Sequence, residues 1–274
     1  MDIDLSINPE EVTTVIEDFI KTYVKNSGCK SVVIGLSGGV DSTVTAVICK
    51  KVLGKKNTLC LFLPDETTPK MDFEHQQIVV KKFDLLCQRK EIGPVVKQIT
   101  SQCVVKPDKF ALANIKARTR MTLLFEYANI THSLVCGTSN KSELLVGYFT
   151  KYGDGGVDIQ PLGDLYKTQV WELAKYLKIP KEIVSKPPTA GLWKNQTDEK
   201  ELQLTYSVLD KILAGLEQKM EITDIARIAD VDKSDVERIK NMRVKSQHKR
   251  RSPLIPKIGL RTIGLDWRSP VQKG

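Results

Sequence analysis

The stretch "VVIGLSGGVDSTVTAVI", Val32 to Ile48, decides the fold. Ser31 to Leu36 is a continuous apolar run bounded by polar residues, the pattern of a parallel strand buried on both faces. Gly38 and Gly39 follow as a turn, and a helical pattern runs from Ser42 to about Leu53. Strand, glycine turn and helix together form a phosphate-binding arrangement. A Walker A loop, however, needs lysine before its last hydroxyl residue. "GLSGGVDS", Gly35 to Ser42, has Asp41 there instead.

Working outward, the same alternation recurs. Pro9 to Asn26 has apolar residues at helical spacing, with Asn8 as N-cap and Pro9 at the first helical position. Thr58 to Pro64 reads as a second buried strand, Phe73 to Cys87 as a helix and Gln88 to Ile92 as a third, weaker strand. Lys109 to Asn129 reads as a long helix and Ser133 to Ser139 as a fourth strand ending in a loop. Strands alternating with helices predict an α/β fold, a doubly wound parallel sheet of Rossmann-like type. Ligands in such sheets sit beyond the carboxyl ends of the strands. Beyond Tyr152 the pattern turns helical, over Asp164 to Ile179, Asp198 to Leu216 and Thr223 to Gln247. The last of these divides at a turn near Asp230 to Lys233. The reading is one domain over 1–274, with a nucleotide-binding core at about 28–180 and a helical part and tail at about 181–274.

Composition sets wider limits. The 274 residues are 41% hydrophobic and 27% charged, enough apolar material for a sizeable core. No apolar run is long enough to span a membrane, and the acidic N-terminus lacks a signal core, so a cytoplasmic protein without membrane partners is expected. Six cysteines form no C-x-x-C pair, which predicts buried reduced thiols. Net charge is +9, and six of the basic residues fall within Lys240 to Arg251. That run would suit nucleic acid. Against it stand the absence of a recognisable RNA-binding module and an aromatic content of only 6%, so no nucleic-acid partner is expected.

The chemistry of the glycine loop follows from its residues. Gly38 and Gly39 let backbone N–H groups converge, Ser37 and Ser42 add hydroxyl donors, and the helix N-terminus adds positive partial charge. Asp41 would repel bare phosphate but attract Mg²⁺, which itself attracts phosphate. The rival reading is a helix cap on a structural glycine turn. The combination S-G-G-x-D-S directly after a buried strand argues against it.

This loop resembles that of the N-type ATP pyrophosphatases, a superfamily that includes GMP synthetase and tRNA-thiolating enzymes. In that superfamily the loop grips the β,γ-pyrophosphate of ATP, and the reaction gives an adenylate. A second stretch, "CGTSNKSELLVGYFTKYGDGGVDIQPLGDLYKTQVWELAKYL" (Cys136 to Leu177), is similar to the NAD synthetase family. "NIKARTRM" (Asn114 to Met121), "KPPTAGLW" (Lys186 to Trp193) and "HKRRSPLIP" (His248 to Pro256) match the same family in order. The resemblance implies ammonia-dependent amidation of deamido-NAD through an adenylate, with ATP as co-substrate and Mg²⁺ as cofactor. Asp41 and Lys167 would be catalytic. ATP would be held by Gly35, Leu36, Ser37, Gly38, Gly39, Val40, Asp41, Ser42, Thr138, Lys167 and Thr189. Asp41 and Glu143 would bind the metal. Arg118, Lys151, Asp158, His248 and Lys249 would contact deamido-NAD.

Bland alternatives stand beside these roles. Glu143 reads equally as a helix-start glutamate, Lys167 as a solvated helix lysine and His248 with Lys249 as a basic solvated segment. Arg120 competes with Arg118, on a different face of the same helix. Relatives with a glutaminase part carry several hundred further residues, which leaves free ammonia as the expected nitrogen donor. The family implies a homodimer, with Lys109–Asn129 and Glu199–Leu216 as candidate contacts.

Overall fold

A computed structural model of the chain describes residues 3–193 and 196–263. Four strands form one parallel sheet: β1 (Ser31–Gly35), β2 (Thr58–Phe62), β3 (Leu86–Arg89) and β4 (Ser133–Cys136). Their spatial order is β3-β2-β1-β4. The chain therefore winds outward from β1 in one direction, then returns to place β4 on its other side. That reversal opens a crevice at the carboxyl ends of β1 and β4.

Helices cover both faces. The first cluster packs Ile16 and Ile20 of α1 (Pro9–Asn26) and Val44 and Ile48 of α2 (Val40–Leu53) against Val32 and Ile34. Val79 of α3 (Lys70–Phe83) joins them there. The opposite face carries Val33, Leu59 and Val135 against Val96 of α4 (Gly93–Ser101) and Ala128 of α5 (Lys109–Thr131). Val32 and Ile34 point one way and Val33 the other, as the two-residue strand period requires. Both sets are fully buried, which is why β1 reads as an unbroken apolar run.

The later helices are α6 (Lys141–Val146), α7 (Lys167–Tyr176), α8 (Lys181–Val184), α9 (Asp198–Leu202), α10 (Tyr206–Glu217), α11 (Ile222–Ala229) and α12 (Lys233–Lys245). A separate apolar cluster of Leu209, Ile212, Leu213, Ile225, Val236 and Ile239 joins α10 to α12. Ile3, Val146 and Tyr166 connect it to the N-terminal half. No helix among the described residues is long and apolar enough to cross a membrane.

Several sequence-based boundaries move. α3 stops at Phe83, because Asp84 adopts a left-handed conformation (φ 48°), so β3 begins at Leu86 rather than Gln88. Asp198 to Leu216 is two helices, broken where Gln203 has φ 57°. α7 starts at Lys167, three residues after the predicted Asp164. α4 is a further short helix, with Val95, Val96 and Ile99 at helical spacing, in a stretch to which the sequence reading assigns no element. All six cysteines are free, as expected, but only Cys49, Cys60 and Cys136 are buried; Cys29, Cys87 and Cys103 are half-buried.

Candidate active site

The loop leaving β1 is held by its own short-range bonds. Ser37 Oγ and Ser42 Oγ lie 3.1 Å apart, Gly39 N–H donates to Ser37 Oγ at 3.3 Å, and Thr43 Oγ1 donates to Gly39 O at 2.7 Å. Gly38 has φ +82°, and a Cβ there would lie 2.9 Å from Asp72 O and 3.0 Å from Gln76 N. Only glycine meets both conditions. α2 has Gly39 as N-cap and no side-chain cap, so its first-turn N–H groups remain available to an anion.

Asp41, in that first turn, faces across the crevice. Its Oδ1 accepts from Asn140 Nδ2 at 3.1 Å and its Oδ2 from Lys167 Nζ at 2.5 Å. The same ammonium lies 3.5 Å from Glu143 Oε1 and 5.2 Å from the ring centre of Tyr206. Lys167 is only 2% exposed. Burial opposes its charge, but Asp41 and Glu143 more than offset that and hold the ammonium above its ordinary pKa. Burial acts the other way on Glu143, whose carboxyl is pushed up to about 8, with Asp41 and Asp198 adding to the shift and Lys167 opposing it.

Each of these groups is set by its backbone. Asn140 and Glu143 form a capping box on α6: Glu143 N–H donates to Asn140 Oδ1 at 3.1 Å, and Asn140 N–H donates to Glu143 Oε2 at 3.3 Å. One Glu143 oxygen caps the helix while the other faces Lys167, so the helix-start role does not remove Glu143 from the crevice. Lys167 is the first residue of α7, and its N–H donates to Ser142 Oγ at 2.9 Å. Ser142 in turn donates to Asp210, which also accepts Thr168 N–H and Thr168 Oγ1, each at 2.9 Å. Burial raises the Asp210 carboxyl to about 6, against the pull of those donors.

A cavity of about 500 Å³ opens over this constellation. Among its lining residues are Gly35, Leu36, Ser37, Gly39, Val40, Asp41, Ser42, Thr138, Glu143, Lys167, Thr189 and Lys249. The geometry therefore gathers the residues assigned to ATP and metal, apart from Gly38, which supports the loop from behind. The residues assigned to deamido-NAD divide. Lys249 lines the cavity and donates to Gly147 O at 2.6 Å and Phe149 O at 2.8 Å. Arg118 is exposed and donates to Lys151 O at 3.3 Å, outside the cavity, and His248 is also exposed. Asp158 accepts Val135 N–H at 2.7 Å, on the edge of β4. Arg120 does line the cavity, with its Nε donating to Leu63 O at 2.9 Å.

Other residues here lay outside the sequence reading. Asp198 is 4% exposed, lines the cavity, and accepts Ala190 N–H at 3.0 Å and Tyr206 O–H at 3.2 Å. Asn140 was legible in principle, since N-x-x-E before an apolar run is a capping-box pattern. The basic run also changes meaning. Arg250 spends its guanidinium on Leu144 O and Leu145 O, at the C-terminal end of α6, at 2.7 and 2.9 Å. With Lys249 turned inward too, part of that charge serves packing.

Asp41, Glu143 and Asp198 all act on one ammonium, and Glu143 is raised mainly by burial, with Asp41 and Asp198 adding to it against Lys167. Such a donor set suits a hard divalent cation. Among the described residues no group of three or more His, Cys, Asp or Glu stands close enough to form a closed cage. A cation here would share its shell with ligand oxygens and water.

Comparison with known proteins agrees with this geometry. The family model for NAD synthase matches residues 12–253. An NH(3)-dependent NAD(+) synthetase from Sulfolobus acidocaldarius is 43% identical over 276 residues, covering 98% of this chain and 96% of the relative. Among solved structures, an NMN synthetase from Francisella tularensis superposes with a TM-score of 0.82 at 32% identity. An NH3-dependent NAD synthetase from Campylobacter jejuni superposes with a TM-score of 0.78, also at 32% identity. Each of these two covers 92% of this chain and 100% of its own.

Proposed function

The chain belongs to the NAD synthase family, and on that premise we propose that it is an ammonia-dependent ligase that converts deamido-NAD to NAD at the expense of ATP. The observation that carries the reading is the meeting of Asp41, Glu143 and Lys167 beside the Gly35–Ser42 loop, at the β1/β4 crevice. The loop N–H groups and α2 hold the pyrophosphate half of ATP. Lys167 supplies the cation that a Walker loop would carry in its own sequence. Asp41 and Glu143 would hold Mg²⁺, which would supply charge neutralisation on the phosphate oxygens. Thr138 and Thr189 line the nucleotide's path.

The nicotinate carboxylate of deamido-NAD attacks the α-phosphorus of ATP, and pyrophosphate leaves on the loop. Ammonia then displaces AMP from the acyl adenylate, giving the amide. Positioning and charge stabilisation dominate, so no side-chain nucleophile is required. Lys249 reaches deamido-NAD within the cavity. Arg118, Lys151, Asp158 and His248 contribute from its outer side, completed by a second copy of the chain.

The test is product analysis. With ATP, Mg²⁺, ammonium and deamido-NAD, the protein should yield NAD, AMP and pyrophosphate in equal amounts. ADP in place of AMP would refute the loop assignment. Nicotinate mononucleotide in parallel addresses the similarity to an NMN synthetase: preferred turnover of the mononucleotide would overturn the deamido-NAD assignment. Glutamine in place of ammonium should not support the reaction.

A further inference from the structure

Lys116 is a buried charge for which the proposed chemistry has no use. It lies on α5, only 6% exposed, behind the cavity wall formed by Ala113 and Ala117. Its ammonium meets three oxygens from two other segments. Asp65 Oδ2 is at 3.0 Å, Thr67 Oγ1 accepts at 2.9 Å and Leu192 O accepts at 3.0 Å.

The two segments differ in how they are held. Asp65 and Thr67 form the turn leaving β2. Asp65 Oδ1 accepts Thr67 N–H at 2.8 Å and Thr67 O–H at 2.7 Å, and Pro64 O accepts Ile92 N–H at 2.9 Å. That turn is thus part of the sheet edge. Burial opposes ionisation of Asp65, but Thr67, Lys116 and Arg120 outweigh it and hold the carboxyl below its ordinary pKa. Leu192 belongs to the non-helical segment between α8 and α9, which carries Thr189. That segment bonds to its own ends: Ala190 N–H to Asp198, Leu192 N–H to Gln196 Oε1 at 2.8 Å, and Asp198 N–H to Pro188 O at 3.0 Å. Its ties to the α/β core include the Trp193 ring against Lys109 and Phe110 of α5, and two buried or half-buried lysine contacts. Lys186 pairs with Asp72 at 2.5 Å at its start, and Lys116 takes Leu192 O after Thr189.

Given that ATP occupies this cavity, we propose that Lys116 is a positioning residue for it: an ion pair anchored at the sheet edge carries the Leu192 carbonyl and so holds Thr189 over the nucleotide. Lys116 does not touch the substrate. Asp65 neutralises the ammonium, so the bond to Leu192 O adds one charge-assisted hydrogen bond without an unpaired buried charge.

The test uses the full-length protein and measures ATP binding directly by calorimetry, without turnover, beside steady-state kinetics. Lys116→Met keeps the aliphatic stem and leaves Asp65 with Arg120 and Thr67. ATP should then bind about tenfold more weakly, with KM for ATP rising in parallel. KM for deamido-NAD and kcat at saturating ATP should each change by less than about threefold, a split that general loosening would not produce. Lys116→Arg keeps the charge and a donor, should recover at least half of the lost affinity on a logarithmic scale, and serves in place of the methionine variant if that fails to fold. Wild-type ATP affinity in Lys116→Met, or equal losses toward both substrates, would overturn the inference. A wild-type protein that binds no ATP would instead overturn the assignment of the cavity.

Discussion

The two halves of the phosphate site are built in opposite ways. The glycine loop is local: Ser37, Gly39, Ser42 and Thr43 bond to one another within five residues, on a turn that the β1–α2 junction provides. The Lys167 cradle is assembled at long range. Lys167 reaches Asp41 across 126 positions of sequence; its N–H is held by Ser142, 25 positions away, and the N–H of the next residue, Thr168, by Asp210, 42 positions away. The loop can therefore form once one strand and one helix exist. The cradle exists only when β4, α6, α7 and α10 have all docked. Damage to the first should cost chemistry, and damage to the second should cost chemistry and stability together.

Lys167→Met is the severest test. The loss of the only ammonium in the cluster should lower kcat by about 10²- to 10³-fold, the scale for removing one preorganised electrostatic group. It also leaves carboxylates facing one another under cover, and breaking one side of a buried pair costs about 3–5 kcal/mol. Asp41→Asn should match it in kcat with a smaller fall in Tm, because Asp41 is the less buried partner and the amide oxygen of the new side chain can still accept from Lys167. Comparable melting losses in both variants would break the proposed division between the two halves. Product quantification and thermal unfolding of the same samples decide it.

Asp210→Asn comes next, with no direct contact to ATP. It holds Ser142 and the first turn of α7, so its replacement should lower stability by about 1–3 kcal/mol and kcat by about tenfold or more through misplacement of Lys167. A variant with lowered stability but wild-type kcat would show that Lys167 is positioned by Asp41 and Glu143 alone. Gly38→Ala probes the local half. A side chain at φ +82° costs about 1–2 kcal/mol, and the new Cβ would press on backbone at Asp72 and Gln76. ATP affinity should fall with it, because α3 must move away from the loop.

The same division explains what the sequence disclosed. β1 and β2 were legible because the sheet buries them on both faces, which leaves unbroken apolar runs. Ser37 to Ser42 was legible because one continuous stretch encodes its geometry. The end of α3 was not, since a single left-handed residue, Asp84, stops a helix whose apolar pattern runs on to Cys87. Lys167 entered by resemblance alone: in isolation it is one lysine in a helical pattern, and nothing local says that Asp41 awaits it. Asp198, Asp210 and Lys116 escaped for the same reason, since a buried charge is defined by partners that only the fold supplies. Arg118 and Arg120 stayed unresolved because spacing separates helix faces without saying which one the cavity adopts. Arg120 lines it.

The smallest effect is the most specific to the cradle. Glu143 titrates near 8 in the folded protein and at 4.5 as an ordinary glutamate. A carboxyl raised on folding contributes stability that is complete below the ordinary value and is lost as pH rises through the folded one. The ligand-free protein should therefore lose stability between pH 7 and 8, by about 1 kcal/mol, since one bound proton corresponds to about 1.4 kcal/mol per pH unit. Asp210 has the same sign, but its window closes near pH 6, below this range. Lys167, raised above 10.5, keeps its contribution throughout. Glu143→Gln should flatten the slope between pH 7 and 8 and make the variant relatively more stable at pH 8.5 than at pH 6. Denaturant titrations at the four pH values measure this. An unchanged slope would mean that Glu143 is already ionised beside Lys167 at pH 7, and that burial does not raise its carboxyl in the folded protein.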